Sequence, residues 1–437
     1  MRASLISIVF LLFSQTVWSA AKIEHWQMAQ GSRVYYVRTE GLPMVDIQVS
    51  FDAGSARDGS QFGIAALTSA LLDTGAGEWN ADEIAQRFES VGADVGSGIS
   101  NDMAWVSLRT LTDKKLFDKA LETLQVMLAK PTFNEADFQR EKNRTLAGLK
   151  QREESPAELA HIAFYKAVYG DHPYAHPSDG VIETVAGFSA DDLREFYKKY
   201  YVAANAIVVI VGDLSKEQAE QTAQNLVADL PTGQKPEPLP EVAMPKKATQ
   251  QQIDFPSTQT HVLVGMPGTY RKDPDYFSLY VGNHILGGAV LVSKLFNEIR
   301  EKRGLAYSAS SSFVPMFRKG PFVASLQTRN DQTQEALKVL NKTLADFINE
   351  GPTEAELTAA KKNITGGFAM RFDTNKELAN YVSMIGFYEL PLDYLDTFQQ
   401  KIEQVTVASI SGAFKRHIDP QLLQTITLGG AQAKSEK

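Results

Sequence analysis

"VSLRTLTDKKLFDKALETLQVMLAKPTFNEADFQREKNRTLAGL", residues 106–149, reads as a strand, a helix, a proline turn and a second helix. Leu121, Leu124, Met127 and Leu128 fall at helical spacing, which gives the first helix one apolar face. The same order returns in "ASLQTRNDQTQEALKVLNKTLADFINEGPTEAELTAAKKNITGGF", residues 324–368, where Leu337, Leu340, Leu344 and Phe347 keep that spacing. Each turn holds a proline, Pro131 or Pro352. Each second helix opens near Asn or Thr followed by Glu, a capping signal. A pattern that recurs once in a chain of 437 residues points to two copies of one unit rather than one large domain.

The ends of the halves correspond as well. "FSADDLREFYKKYYVAANAIVVIVGDL" (188–214) is a helix followed by a buried strand closing at Gly212, and "VTVASISGAFKRHIDPQLLQTITLGG" (405–430) repeats that layout with Gly430 at its close. Strands open each half, in "RVYYVRTEGLPMVDIQVSFDAGS" (33–55) and "THVLVGMPGTYRKD" (260–273). Between them "LPTGQKPEPLPEVAMPKKATQQQ" carries five prolines and no regular apolar period, as a linker would. The reading is α+β, with an N-terminal domain at 22–229, a linker at 230–252 and a C-terminal domain at 253–437. Each domain is expected to hold an antiparallel or mixed sheet covered by helices on one face.

The remaining bulk features limit the function. A net charge of −8 and a pI near 5.5 argue against nucleic acid as a partner, since phosphate binding needs a basic face. "MRASLISIVFLLFSQTVWSAAK" has an early Arg2, an apolar run and small residues, which predicts a signal peptide over 1–21 cleaved after Ser19 or Ala21. No later segment has the length and apolarity to span a membrane. The chain has no cysteine, so disulfides, thiolate chemistry and Cys metal sites are excluded. A large exported chain without disulfides fits a bacterial periplasm.

Candidate chemistry is sparse. His172 and His176 in "YGDHPYAHPSDG" have the spacing of two ligands on a helix, but a proline follows each and disfavours helix there, so the segment reads as a loop and a weak metal signal. His25, His161, His261, His284 and His417 have no acidic partner at ligand spacing. No G-x-S-x-G elbow and no phosphate-binding Gly-Lys-Ser/Thr pattern is present. In "GNHILGGAVLVSKLFNEIREKRGLAYSASSSF" (282–313) a Gly-Gly turn precedes an amphipathic helix at 291–300, a charged turn and a strand from Leu305. Arg300 and Tyr307 can converge there as a guanidinium and a phenol that hold peptide carbonyls. The same residues also fit a solvated charged turn beside an ordinary strand tyrosine.

These stretches together resemble the pitrilysin/insulinase-type zinc metallopeptidases, a family that includes mitochondrial processing peptidase. The likeness is carried by 286–313 and by "LPMVDIQVSFDAGSARDGSQFGIAAL", "ADEIAQRFESVGADVGSGISNDMAWVSL" and "HPYAHPSDGVIETVAGFSADDLREFYKKYY" in the first half. It implies two homologous α/β sandwich domains forming half of a clamshell. It also implies a zinc helix with H-x-x-E-H, two histidine ligands and a water-activating glutamate. In this sequence "GIAALTSALLDTGAG" (63–77) fills that helix. Ala66 and Ala70 stand at the histidine positions, Ser69 at the glutamate position, and Ala147 where a distal glutamate ligand is expected. Arg300 and Tyr307 match the family's substrate-holding pair.

The resemblance therefore implies a non-catalytic, substrate-binding subunit that binds no zinc itself. A homologous H-x-x-E-H subunit would supply the zinc in a heterodimer acting on unfolded peptides. The alternative is a peptide-binding pseudoenzyme or chaperone-like module with no peptidase partner. A third reading is an autonomous peptidase with another metal arrangement around His172 and His176.

Overall fold

The computed structural model describes residues 22–430, and the expected signal peptide lies outside them. No helix among the described residues is long and apolar enough to cross a membrane. The first unit runs β1 (Glu24–Gln27), β2 (Arg33–Arg38), β3 (Met44–Phe51), α1 (Ile64–Ala70), a short hairpin of β4 (Gly75–Ala76) and β5 (Trp79–Asn80), α2 (Ala81–Glu89), β6 (Asp94–Ile99), β7 (Ala104–Leu111), α3 (Lys114–Ala129), α4 (Glu135–Arg152), α5 (Pro156–Tyr169), α6 (Ile182–Gly187), α7 (Ala190–Tyr200), β8 (Ala206–Gly212) and α8 (Lys216–Ala228). The second runs β9 (Thr249–Ile253), β10 (Gln259–Pro267), α9 (Tyr276–Asn283), α10 (Lys294–Phe296), β11 (Ala306–Phe313), β12 (Pro321–Arg329), α11 (Thr333–Glu350), α12 (Glu354–Gly366), α13 (Asn375–Phe387), α14 (Tyr394–Gln404), α15 (Val407–His417) and β13 (Gln424–Leu428).

The repeat is a repeat of topology. The first sheet has the order β1-β2-β8-β3-β7-β6 and the second β11-β12-β10-β13-β9. Without β1, the first sheet matches the second strand for strand. Each is mixed, with a single parallel pair, β2 with β8 and β9 with β13. The helix starts obey their sequence signals. Asn134 caps α4 by accepting from the Asp137 N–H, and Thr353 with Glu356 forms a complete capping box on α12.

Two details differ from the sequence reading. The polar run at 249–252, read as linker, is part of edge strand β9. Its pairing with β13 uses backbone groups, so its exposed glutamines need no apolar alternation. The glycine equivalent to Gly212 is Gly429, one residue before Gly430. Gly212 and Gly429 have φ of 156° and 142°, and a Cβ on either would meet the backbone of the neighbouring strand at 2.5 Å.

A larger difference concerns the sheets' second faces. Each sheet has its own helices on one side, and its other side is covered by a helix of the opposite unit. Leu378, Ala379, Val382 and Ile385 of α13 pack against Tyr35, Val37, Ile207, Val209 and Val211 of the first sheet. Ala160, Phe164 and Val168 of α5 pack on Leu263, Ile426 and Leu428 of the second. This exchange closes both cores and fixes the units against each other.

Candidate functional site

Helix α1 is held by its start. The carboxylate of Asp58 accepts from the N–H groups of Gly63 (2.7 Å) and Ala65 (3.1 Å), two of the donors that a helix N-terminus leaves free. Gly63 (φ 97°) faces Gly180 (φ 85°), where a Cβ would meet the Phe62 carbonyl at 2.3 Å, so the loop at 176–180 packs backbone to backbone on the helix start. His176 stacks on Phe62 and lies 3.8 Å from Asp58. Burial pushes the Asp58 carboxyl up to about 7 and the His176 imidazole down, both toward their neutral forms.

One turn on, Ala66, Ser69 and Ala70 line a cleft of about 790 Å³. Its other walls come from α2, from β6 and from Glu141 and Arg144 of α4. Ala147 is exposed on α4 and is not among the lining residues. The carboxylate that α4 does bring is Glu141, whose side chain is only 10 % exposed. Its Oε2 lies 2.6 Å from Arg144 in an ion pair that lacks hydrogen-bond alignment. Sequence reasoning missed Glu141, whose only signal is a single acidic residue on the inward face of a charged helix.

This donor set does not fit the family's zinc. Two alanines offer no lone pair, a buried serine hydroxyl is neither a normal zinc ligand nor a base at neutral pH, and Glu141 is already paired with a guanidinium. The histidines do not replace them. His172 Nδ1 accepts from the Tyr174 N–H, so its Nε2–H is left to donate to the Pro240 carbonyl, and both nitrogens are occupied structurally. The acidic partners missing for His417 in sequence are supplied in space. Its Nε2 lies 3.1 Å from Asp275 and 3.6 Å from Asp273, in a knot that Arg416 completes with two bonds to Asp275. Those bonds account for the cluster as an ion-pair anchor of α15.

Arg300 and Tyr307 are brought together, although not at this cleft, whose lining residues all fall between Ala66 and Arg144. The helix expected at 291–300 begins at Lys294, capped by Ser293, and widens into a π turn over Asn297–Glu301 that carries Arg300. Strand β11 has a bulge between Ala306 and Ala309, where two residues oppose one on β12. The bulge turns Tyr307 out, leaving it 80 % exposed. The Arg300 guanidinium lies 4.5 Å from the Tyr307 ring centre and 5.0 Å from that of Phe296. Its nearest carboxylate, Glu301, is 3.9 Å away. Two aromatic rings thus orient a cation whose N–H groups remain available beside a solvent-facing phenol. Val290, Leu291 and Val292, 65–76 % exposed, form an apolar loop just before that helix.

Comparison with known proteins gives the family. Residues 33–179 match the family model "Insulinase (Peptidase family M16)" and residues 187–364 the model "Peptidase M16 inactive domain". The chain is 37 % identical to the crystal structure of a peptidase M16 inactive domain from Pseudomonas fluorescens, with a TM-score of 0.91 over 94 % of this chain and 99 % of that one. A protease structure from Helicobacter pylori shares the fold at 20 % identity, with a TM-score of 0.84 over 94 % of this chain and all of that one. Among curated relatives it is 27 % identical to an uncharacterized zinc protease YmxG of Bacillus subtilis, over 89 % of this chain and 93 % of that protein. It is equally 27 % identical to a non-peptidase homolog YmxG of Helicobacter pylori, over 92 % of each. The chain belongs to the insulinase family, peptidase family M16.

Proposed function

We propose that this chain is the substrate-binding subunit of a heteromeric periplasmic zinc metallopeptidase that degrades or processes unfolded peptides. A homologous H-x-x-E-H subunit supplies the zinc and the general base. The observation that carries this reading is the split of the site. The metal helix bears Ala66, Ser69 and Ala70, while Arg300 and Tyr307 stand packed together at the surface. A guanidinium oriented by two aromatic rings, beside an exposed phenol, is suited to carbonyl oxygens of an extended peptide presented to a neighbouring subunit's metal.

Purified alone, the chain is expected to bind no stoichiometric zinc and to cleave no peptide, as read by metal analysis and a peptidase assay with and without chelator. Affinity capture from the source periplasm should retain the H-x-x-E-H subunit. In the reconstituted pair, Arg300→Ala or Tyr307→Phe should lower kcat/KM by about 100–1,000-fold, the range for loss of a transition-state hydrogen-bond donor. Zinc-dependent cleavage by the isolated chain would overturn the assignment. Full activity of both variants would remove the pair's role. Peptide binding with no peptidase captured would favour a stand-alone peptide-binding pseudoenzyme.

A further inference from the structure

The two sheets differ at one edge. In the first, the outer side of β2 is covered by β1, which pairs with it antiparallel. Strand β9 holds the equivalent place in the second sheet, and among the described residues no strand covers it. The Thr249 N–H donates to the Leu423 carbonyl (3.1 Å) and the Gly429 N–H to the Ile253 carbonyl (3.0 Å), which fixes the phase of the parallel ladder with β13. In that phase Thr249, Gln251 and Ile253 turn their N–H and C=O groups toward β13, while Gln250 and Gln252 turn theirs off the edge. The usual devices that blunt an open edge are missing here. The strand, Thr-Gln-Gln-Gln-Ile, has no proline, no charge and no bulge, and residues 249–252 are exposed.

We propose that β9 pairs with β9 of a second copy of this chain, antiparallel about a two-fold axis at Gln251, so that the second sheet continues across a homodimer. A two-fold contact needs a surface that is its own complement, and this edge is one. With Gln251 opposite Gln251 of the second copy, Gln250 stands opposite Gln252 and Gln252 opposite Gln250. Gln250 and Gln252 are the residues whose backbone groups point outward, so each of these two outer pairs exchanges two backbone hydrogen bonds. Directly opposed side chains share a face of the sheet, and here every central pair is carboxamide against carboxamide, each with a donor NH2 and an acceptor oxygen. The ends are complementary in charge. Lys246 and Lys247 precede the strand, Asp254 follows it, and all three are exposed. An antiparallel pairing brings the lysines of one copy to the aspartate of the other at both ends. A pairing this short belongs to the weak, transient class of interface, which sets the dimer in the micromolar range. Arg300 and Tyr307 stand beside β11, the opposite edge of the same sheet, so the dimer leaves both uncovered.

The test is sedimentation equilibrium on the full chain, which should show a reversible monomer–dimer equilibrium. Gln252→Pro removes an N–H that points off the edge and leaves the ladder with β13 whole. It should weaken the dimer by about tenfold or more while the Tm of the dilute monomer stays unchanged. Cross-linking reads the register, because the native chain has no cysteine. Gln251→Cys places two thiols on the axis at a non-hydrogen-bonded pair, where Cα atoms stand about 4.5 Å apart, and oxidation should give a disulfide dimer. Gln250→Cys places them diagonally, about 7–8 Å apart, and should cross-link at least about tenfold more slowly. A chain that stays monomeric at millimolar concentration overturns the proposal. So does a Gln252→Pro variant that dimerises like the native chain, or equal cross-linking at the two positions. None of these readings involves cleavage, so the role of Arg300 and Tyr307 stands or falls separately in the reconstituted pair.

Discussion

Asp58 carries two duties that pull against each other. As the cap of α1 it accepts two backbone N–H bonds, which favour its charged form, yet burial raises its carboxyl to about 7 from an ordinary 3.8. A carboxyl with a higher pKa folded than unfolded takes up a proton on folding. Its contribution to stability is therefore fully present below pH 3.8 and is lost as pH rises to about 7. Asp58→Asn keeps the shape and removes the titration. The unfolding free energy of the native protein minus that of the variant should fall across this window by up to ~4 kcal/mol, at 1.36 kcal/mol per pKa unit. Urea melts at pH 4, 5, 6 and 7 would show it, and a pH-independent difference would refute it. His176 titrates with the opposite sign, its folded value being lowered by burial, but it is present in both proteins and cancels to first order. The neighbouring Gly180 leaves no such latitude. Gly180→Ala combines a left-handed φ with a 2.3 Å approach to the Phe62 carbonyl, so the start of α1 must shift.

Local irregularity places the Arg300–Tyr307 pair. The π turn over Asn297–Glu301 rotates the helix end, and the bulge in β11 lets Tyr307 and Ser308 share one partner position on β12. Deleting Ser308 restores a regular ladder and re-aims the phenol while both functional side chains stay in the sequence. In the reconstituted pair this deletion should cost as much activity as Tyr307→Phe, and a fully active deletion would show that the bulge positions nothing. Such features explain what the sequence could disclose. Helix pairs with 3.6-residue periodicity and the wholly apolar β8 were legible because burial on a fixed face forces a pattern. Strand β9 was not, because an edge strand of glutamines is held by its backbone. The π turn was not, because five residues are too few to show a change of period. The missing metal ligands were legible through resemblance alone, since Ala66, Ser69 and Ala70 by themselves describe an ordinary packed helix. Glu141 went unseen because burial, not residue type, sets it apart from the charged residues around it.

At the scale of the whole molecule, the exchanged helices α5 and α13 mean that neither unit has a complete core of its own, despite a proline-rich connection that suggests two independent beads. Apolar periodicity shows that a helix is buried, not which sheet buries it, so this was invisible before the structure. A buried polar link reinforces the join. Asp102, 3 % exposed in the β6–β7 hairpin, accepts from the Tyr174 hydroxyl, and from the Phe317 N–H (2.8 Å) and the Tyr388 hydroxyl (2.9 Å) of the second unit. Burial raises this carboxyl, and the three donors lower it. Asp102→Ala would leave three donors without their acceptor at a buried join. At roughly 1–3 kcal/mol for each group left unsatisfied, the loss should be about 3 kcal/mol or more. Ile385→Ala on α13 removes a fully buried side chain from the sheet it covers and should cost about 2–5 kcal/mol. Because the exchanged helices tie the halves into one cooperative unit, calorimetry should show a single transition for the native chain and a single, lower one for each variant. A chain cut down to residues 22–240 should fail to fold, since it exposes the sheet face of Tyr35, Val37, Ile207, Val209 and Val211 to water. Two resolved transitions in the native chain, or a soluble and cooperatively folded N-terminal half, would show instead that the exchange joins two units already stable alone.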